Sequence, residues 1–143
     1  MSNGVMIALL PVTTEWSKLE IPHATLVYAG KTDELADTAF NELAKDAAAL
    51  AMMNRQLYLR VRGVSIFGDG TGDNPQVNVF TLTPTPELLA MRRFVEKWNA
   101  SEHPFRPHAT IGPVGEPIDF RPSHIAFDRI TVGWGSDYLT FNL

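Results

Sequence analysis

Two short segments of the sequence repeat each other and carry residue types suited to acid–base chemistry. Residues 22–26 read Pro-His-Ala-Thr-Leu and residues 107–111 read Pro-His-Ala-Thr-Ile, so four of the five positions are identical and the fifth stays aliphatic. The repeat contains two of the four histidines in the chain. Such a repeat indicates a functional site; the alternative is an accidental similarity between two strands at the edge of a core.

The two copies each place a histidine and a threonine together. Each copy is typical of a short β-strand, on which side chains two residues apart point to the same face. His23 and Thr25 therefore share a face, and so do His108 and Thr110. An imidazole exchanges a proton near neutral pH, and a hydroxyl beside it can hold an oxygen atom of a ligand. Two such pairs that face each other supply a base, an acid and two hydroxyl clamps.

The composition limits the classes of protein to which the chain can belong. With 143 residues, 45% of them hydrophobic, we expect one domain over residues 1–143 with a substantial core. The absence of cysteine excludes disulfides, thiolate catalysis and cysteine-bound metal. A net charge of −4 without a basic run argues against a long nucleic-acid duplex and favours a small phosphate-bearing ligand. The apolar run Val5–Leu10 is too short to span a bilayer, so we expect no membrane partner and a cytoplasmic location.

The pattern of strands and helices indicates how the repeated segments are positioned. Strands are predicted at Val5–Leu10, the first motif through Tyr28, Gln56–Val64, Gln76–Thr83, the second motif, and a closing hairpin of Ile125–Trp134 and Tyr138–Leu143. One helix is predicted from a cap at Thr32 to about Asn54, and another after a cap at Thr85 that Pro86 follows. This order predicts an α+β fold with two pseudo-symmetric lobes, each of antiparallel sheet plus helix, around a central cleft. Each lobe contributes one motif strand to the cleft.

Four further residues are candidates for substrate binding. Arg106 has the same parity as His108, so its guanidinium can face the cleft and bind a phosphate; a solvated surface arginine is the alternative. Three aromatic residues can stack a nucleobase, with packing against the core as the alternative for each: Trp16, Phe67 and Trp134. The two histidines outside the repeat have no partner at ligand spacing, so we predict no metal site and no cofactor.

The doubled motif resembles that of a known family. His23-Ala24-Thr25-Leu26 and Phe105-Arg106-Pro107-His108-Ala109-Thr110-Ile111 are similar to the two His-x-Thr motifs of the 2H phosphoesterases, also called the 2′-5′ RNA ligase-like superfamily. The resemblance implies a bilobal fold with a metal-independent phosphodiesterase site between the lobes. Members of the family cleave 2′,3′-cyclic phosphates, 2′-5′ linkages, ADP-ribose cyclic phosphate or cyclic oligonucleotide signals, and some viral members destroy such signals to blunt host defence. Many relatives carry a basic residue soon after the second motif, where this chain has Gly112-Pro113, and Arg106 is the local substitute.

The residue types suggest how such a site hydrolyses a small nucleotide or a short oligonucleotide. One histidine, as neutral base, removes a proton from water or a ribose hydroxyl, and the other, protonated, donates to the departing oxygen. Thr25 and Thr110 hydrogen-bond to the non-bridging oxygens of the phosphate. The sequence leaves open which histidine plays which part. The alternative function is a nucleotide-binding module of the same fold that sequesters its ligand intact. A strand-joining enzyme is disfavoured, because nothing in the chain resembles a nucleotide-activating lysine motif.

Overall fold

An antiparallel sheet forms the framework of the protein in the computed structural model, which describes residues 3–72 and 74–143. Within these residues the strands are β1 (Gly4–Pro11), β2 (Ala24–Lys31), β3 (Leu57–Phe67), β4 (Val77–Leu82), β5 (His108–Pro113), β6 (His124–Trp134) and β7 (Asp137–Asn142). The α-helices are α1 (Ala39–Met53) and α2 (Pro86–Val95), and short 3-10 helices cover Thr32–Glu34 and Glu96–Trp98. The predicted α+β class with antiparallel pairing is confirmed.

The order of strands places the two motifs at opposite ends of the sheet. That order is β2-β1-β6-β3-β4-β5, with β7 paired to β6 beside this path. The long strand β3 changes partner along its length, because its first residues pair with β6 and the rest pair with β4. A register shift between Val61 and Gly63 marks the change, and irregularities of this kind bend a strand and increase its twist. The sheet curves so far that its two end strands, β2 and β5, contact each other.

The two helices each bury one apolar stripe, as their sequence spacing predicts. In α1 the buried residues are Ala39, Leu43, Ala47 and Leu50, and the helix packs against β6 and β7. In α2 they are Leu88, Met91 and Val95. The predicted cap of α2 is confirmed, since the Thr85 hydroxyl oxygen accepts a hydrogen bond from the Leu88 N–H at 3.2 Å and Pro86 occupies the first turn.

The predicted start of the first helix at Thr32 is wrong. Residues Thr32–Glu34 form only a 3-10 turn, and Leu35 after it is extended, so that α1 begins at Ala39. The carboxylate of Glu34 accepts the backbone N–H of Lys31 at 2.8 Å and thereby closes the short turn on itself. A side chain that bonds to the local backbone competes with helix propagation in this way.

One contiguous hydrophobic core joins the two ends of the sheet. It contains Leu26 of β2 and Ala109 of β5 together with large side chains from the middle, including Phe80 and Phe127, both fully buried. Core residues therefore hold the motif strands in place from the side opposite to their polar residues. None of the helices in residues 3–72 and 74–143 is long and apolar enough to cross a membrane.

The outer edge of β2 is covered by the segment that leads into β5. The Arg92 guanidinium Nη1 donates to the carbonyl oxygen of Leu26 at 2.6 Å, and the Ala100 N–H donates to the carbonyl oxygen of Tyr28 at 2.9 Å. An edge strand otherwise presents unpaired carbonyl groups. These two bonds satisfy alternate carbonyls of β2 next to its motif.

The outer edge of β5 is covered by the segment that leads into β2. The Ser17 hydroxyl donates to the carbonyl oxygen of Thr110 at 2.9 Å, and the Lys18 N–H donates to the carbonyl oxygen of Ile111 at 2.7 Å. Each motif strand is thus fastened by the polypeptide that precedes the other motif. This reciprocal arrangement ties the two halves of the site together.

Candidate active site

The two motif histidines are held by the same local hydrogen bond. The Nδ1 atom of His23 lies 2.8 Å from the carbonyl oxygen of Ile21, and the Nδ1 atom of His108 lies 2.7 Å from that of Arg106. A carbonyl oxygen can only accept, so Nδ1 carries the hydrogen in both rings. The bond thereby assigns the tautomer and leaves Nε2 of each ring as the nitrogen that can exchange a proton with a ligand.

The surroundings of His108 lower the pKa of its imidazole. Burial lowers the pKa of His108, the hydrogen bond to the Arg106 carbonyl partly opposes this, and the positive charges of His23 and Arg106 lower the pKa further. Desolvation and nearby positive charge both disfavour an imidazolium. His108 is therefore neutral at neutral pH and suited to accept a proton. Because β2 and β5 contact each other, the two motifs are neighbours in the fold.

The two threonines lie half-buried on their strands. The Thr25 hydroxyl makes a contact of 3.8 Å with the sulfur of Met6, which is a weak acceptor, so a phosphate oxygen can take its place. Thr110 follows His108 by two residues on β5 and therefore shares its face. Each histidine thus has a hydroxyl beside it on the same side of its strand.

A cavity of about 510 Å³ lies at the motif strands. One member of each pair, Thr25 and His108, lines this cavity, whereas His23 and Thr110 stand next to the lining residues without bordering it. The cavity extends from the motifs along β2 as far as Tyr28, and its size is that of a site for a small organic ligand. The lining also includes residues outside the motifs, such as Tyr28 and His103, which are available to the non-reacting part of a ligand.

Two of the four candidate binding residues line the cavity. The Phe67 ring lies 4.5 Å from the His108 ring, centroid to centroid, at an angle of 55°. The guanidinium carbon of Arg106 lies 4.5 Å from the centroid of the same Phe67 ring. Phe67, the last residue of β3, therefore contacts both a motif histidine and the arginine that precedes it. Contact of Arg106 or Phe67 with a substrate stays a prediction.

The other two candidates, Trp16 and Trp134, do not line the cavity. Trp16 is 3% exposed, its indole N–H donates to the Thr13 carbonyl at 2.8 Å, and its ring meets the edge of Phe80. Trp134 packs perpendicular to Phe40 of α1, with the ring centroids 5.8 Å apart. The buried indole of Trp16 offers no free face for a nucleobase, so its assignment to substrate binding is corrected to a packing role. Trp134 is only partly buried, and its contact with a substrate stays a prediction.

Arg92 of α2 is a cavity residue that the sequence reasoning missed. Its guanidinium bonds to the Leu26 carbonyl, forms an ion pair with Glu96, and lies 4.8 Å from the centroid of the Phe105 ring. Its helical spacing could have indicated this position, because Arg92 follows Leu88 by four residues and therefore lies on the side of α2 that is buried. A cation at a core-facing position of a helix is rarely placed there for packing alone.

The two remaining histidines have separate surroundings. His103 is exposed and lines the cavity. His124 stacks on Tyr58, with ring centroids 4.6 Å apart and planes within 2°. In the part of the chain that the structure describes, no three His, Asp or Glu side chains are grouped as a metal site would require.

Comparison with known proteins identifies the family. A sequence profile of the 2′-5′ RNA ligase superfamily matches residues 14–134, which include both motifs. The chain belongs to this superfamily, which is also that of the 2H phosphoesterases and whose members are phosphoesterases or ligases. A search of curated proteins found no match.

Solved structures share the fold at low sequence identity. Usb1 of Kluyveromyces marxianus is 11% identical with a TM-score of 0.63, and 99% of each chain is covered. TT0787 of Thermus thermophilus is 14% identical with a TM-score of 0.62, covering 97% of this chain and 95% of that one. E. coli LigT complexed with 3′-AMP is 15% identical with a TM-score of 0.51, covering 100% and 96%. The chain therefore has the overall fold of these proteins along its whole length.

Proposed function

We propose that the protein is a metal-independent phosphodiesterase that hydrolyses a small nucleotide. The substrate class comprises cyclic nucleotides, cyclic oligonucleotide signals, 2′,3′-cyclic phosphates and 2′-5′ linkages. The observation that carries the proposal is the matched pair of imidazoles: each is fixed through Nδ1 by a backbone carbonyl, and the strands that follow, β2 and β5, contact each other. Two titrating groups held in this way meet the requirement of general acid–base catalysis.

The different surroundings of the two histidines suggest their roles. His108, whose pKa is lowered by burial and by the positive charges of His23 and Arg106, is neutral and acts as the base. Its Nε2 accepts a proton from water as the water oxygen bonds to phosphorus. His23 acts as the acid: its Nε2 donates a proton to the ribose oxygen as the bond between that oxygen and phosphorus breaks. After product release His108 loses its proton to solvent and His23 regains one, which restores the starting state.

The hydroxyl and guanidinium groups stabilise the charge on the phosphate. Thr25 and Thr110 donate hydrogen bonds to its non-bridging oxygens and hold phosphorus in line with the attacking water. The Arg106 guanidinium, held against Phe67, adds a positive charge beside His108. No protein group becomes covalently attached to the substrate in this scheme.

The size of the cavity and the ligands of a structural relative support a nucleotide as substrate. The cavity of about 510 Å³ is larger than a phosphate group needs and extends from the motifs toward Tyr28. E. coli LigT has been solved with 3′-AMP and with phosphate. We propose that a nucleoside phosphate occupies the corresponding space in this protein, with the phosphorus at the motifs.

A substrate panel tests the proposal. The protein is incubated with 2′,3′-cyclic mononucleotides, 2′-5′ oligoadenylate, ADP-ribose cyclic phosphate and cyclic di- and trinucleotides, with a chelator present throughout. We expect the wild type to convert at least one of them to a phosphomonoester or linear product, and the double variant His23→Ala, His108→Ala to convert none. The control is His124→Ala, which removes a histidine stacked on Tyr58 outside the cavity. Recovery of a bound ligand intact would instead indicate a module that sequesters nucleotides.

A further inference from the structure

The position of Arg92 distinguishes it from the surface arginines of the chain. Its side chain is 12% exposed, and the guanidinium is anchored from three sides by the Leu26 carbonyl, the Glu96 carboxylate and the Phe105 ring. A charged group is seldom buried to this extent unless it is paired or used. Glu96 is 55% exposed and does not line the cavity, whereas Arg92 does.

The known contacts of Arg92 use only part of its bonding capacity. A guanidinium has five N–H groups in a planar fork. Among the described residues, Glu96 accepts from Nε and Leu26 accepts from Nη1, which leaves three N–H groups for a ligand in the cavity. Covering the edge carbonyl of Leu26 needs only one donor. The contact with the Phe105 ring and the two hydrogen bonds hold the guanidinium in place, and a held guanidinium loses less conformational freedom when it binds a phosphate.

Arg92 is held by different groups from those that hold the motif histidines. The histidines bond to backbone carbonyls just before their strands, whereas Arg92 bonds to a carbonyl of β2 itself and borders the cavity. Its partner Leu26 follows Thr25 on β2, and its covering ring, Phe105, belongs to the segment before β5. The cavity therefore has one guanidinium beside the motif histidines and a second one along the edge of β2.

We propose that Arg92 forms a second phosphate-binding subsite, so that the preferred ligand is a nucleotide with two separate phosphate groups. One phosphate lies at the two motifs, and the other is bound by the fork of Arg92. This inference rests on the proposed function of the cavity as a nucleotide site. A nucleoside bisphosphate can place one phosphate near Arg106 at the motifs and the other at Arg92. A nucleoside monophosphate can contact only one of these two guanidinium groups.

Equilibrium binding tests the subsite without requiring turnover. The dissociation constants of adenosine 3′-phosphate and adenosine 3′,5′-bisphosphate are measured by calorimetry at constant ionic strength. We expect the wild type to bind the bisphosphate about tenfold more tightly, which corresponds to roughly 1.4 kcal/mol. In Arg92→Gln the two ligands should bind equally, because the amide keeps a donor for Leu26 but has neither the charge nor the fork.

The matched control is Arg93→Gln. Arg93 is the next residue of α2, is exposed and does not line the cavity. Arg93→Gln therefore makes the same change in net charge and in residue type on the same helix as Arg92→Gln does. The control should keep the tenfold preference. Arg92→Lys, which keeps the charge without the fork, should keep only part of it. Circular dichroism and thermal unfolding establish that each variant is folded.

The possible outcomes separate the subsite from the hydrolytic reaction. Equal affinities of the wild type for the two ligands overturn the subsite, whatever the variants do. A similar loss for both ligands in Arg92→Gln also overturns it, since Arg92 would then contact the phosphate that the ligands share. If the protein prefers the bisphosphate through Arg92 but cleaves no substrate, the subsite is supported and the proposed hydrolase activity is rejected. If it cleaves a substrate but shows no preference for the bisphosphate, the hydrolase activity is supported and the subsite is rejected.

Discussion

The two half-sites of the protein, His23 with Thr25 on β2 and His108 with Thr110 on β5, have the same local construction. In each, the histidine Nδ1 bonds to the carbonyl oxygen two residues earlier, at 2.8 Å in the first and 2.7 Å in the second. In each, the strand lies at an end of the sheet and its outer edge is covered. In both copies the residue just before the Pro-His-Ala-Thr tetrapeptide therefore supplies the carbonyl that fixes the tautomer of the histidine.

The half-sites differ in what surrounds them. His108 contacts the Phe67 ring, borders the cavity and has a lowered pKa because of burial and nearby positive charge. The Phe67 ring is supplied by β3, and Arg106 precedes the motif, so both lie outside the repeated residues. The local hydrogen bond is thus common to the two half-sites, whereas burial and nearby positive charge lower the pKa of His108.

Removal of either imidazole should have the largest effect. We expect His108→Ala and His23→Ala each to reduce kcat/KM by about 10²–10⁴-fold, the usual contribution of a positioned acid or base. Steady-state kinetics on whichever nucleotide the wild type cleaves provides the measurement, with His124→Ala as the control that keeps wild-type activity. A variant of one half-site with full activity would show that the two halves are not partners in catalysis.

Removal of either hydroxyl should have a smaller effect. Thr25→Val and Thr110→Val keep the shape of the side chain and should each lower kcat by roughly a hundredfold, as loss of one preorganised donor does. Thr25→Ser and Thr110→Ser should restore most of the activity, because the hydroxyl is retained. If serine is no better than valine at either position, the threonine there acts through its methyl group in packing and not as a donor.

Removal of the Phe67 ring should diminish the difference between the half-sites. Because burial is the main cause of the lowered pKa of His108, Phe67→Ala should raise that pKa toward its ordinary value. A base must be neutral, so the acidic limb of the kcat/KM profile should move to higher pH, with a loss of less than about tenfold near pH 6 and little loss near pH 8. NMR titration of the His108 ring measures the shift directly. The control is Ile66→Ala, an exposed neighbour on β3 that does not line the cavity.

Loss of the cover on β5 should have the smallest effect. Ser17→Ala removes the hydrogen bond to the Thr110 carbonyl and should lower the free energy of unfolding by about 1 kcal/mol, with kcat/KM changed less than about twofold. Ser136→Ala, at a serine in the β6–β7 turn, should leave the stability unchanged. Denaturant unfolding compares the two. Equal stabilities would mean that Lys18 alone holds this edge.

Local patterns were sufficient to predict much of the fold and to select Thr25 and His108, which line one cavity. Alternating apolar residues located the strands, and the cap at Thr85 located the second helix, because both depend on neighbours in the chain. The first helix was predicted to begin at Thr32, since the sequence does not reveal that the Glu34 carboxylate closes a short turn on Lys31. Whether these residues begin a helix or form a short turn depends on the backbone conformation of a few residues.

The missed and corrected residues depend on contacts between distant segments. Trp16 is buried because Phe80 lies beside it, and Arg92 reaches the cavity because α2 packs along β2. In neither case do the residues adjacent in sequence indicate the partner. The order of strands, with β6 between β1 and β3, also depends on long-range pairing that periodicity does not encode.

The reciprocal cover of the end strands has a consequence for dividing the polypeptide. A fragment that stops before α2 lacks Arg92 and Ala100, which fasten the first motif, and a fragment that starts there lacks Ser17 and Lys18, which fasten the second. Neither piece can carry a finished half-site on its own. Co-expressed fragments would regain both only by reassociating, which makes the break between β4 and α2 a natural position for a split-protein reporter.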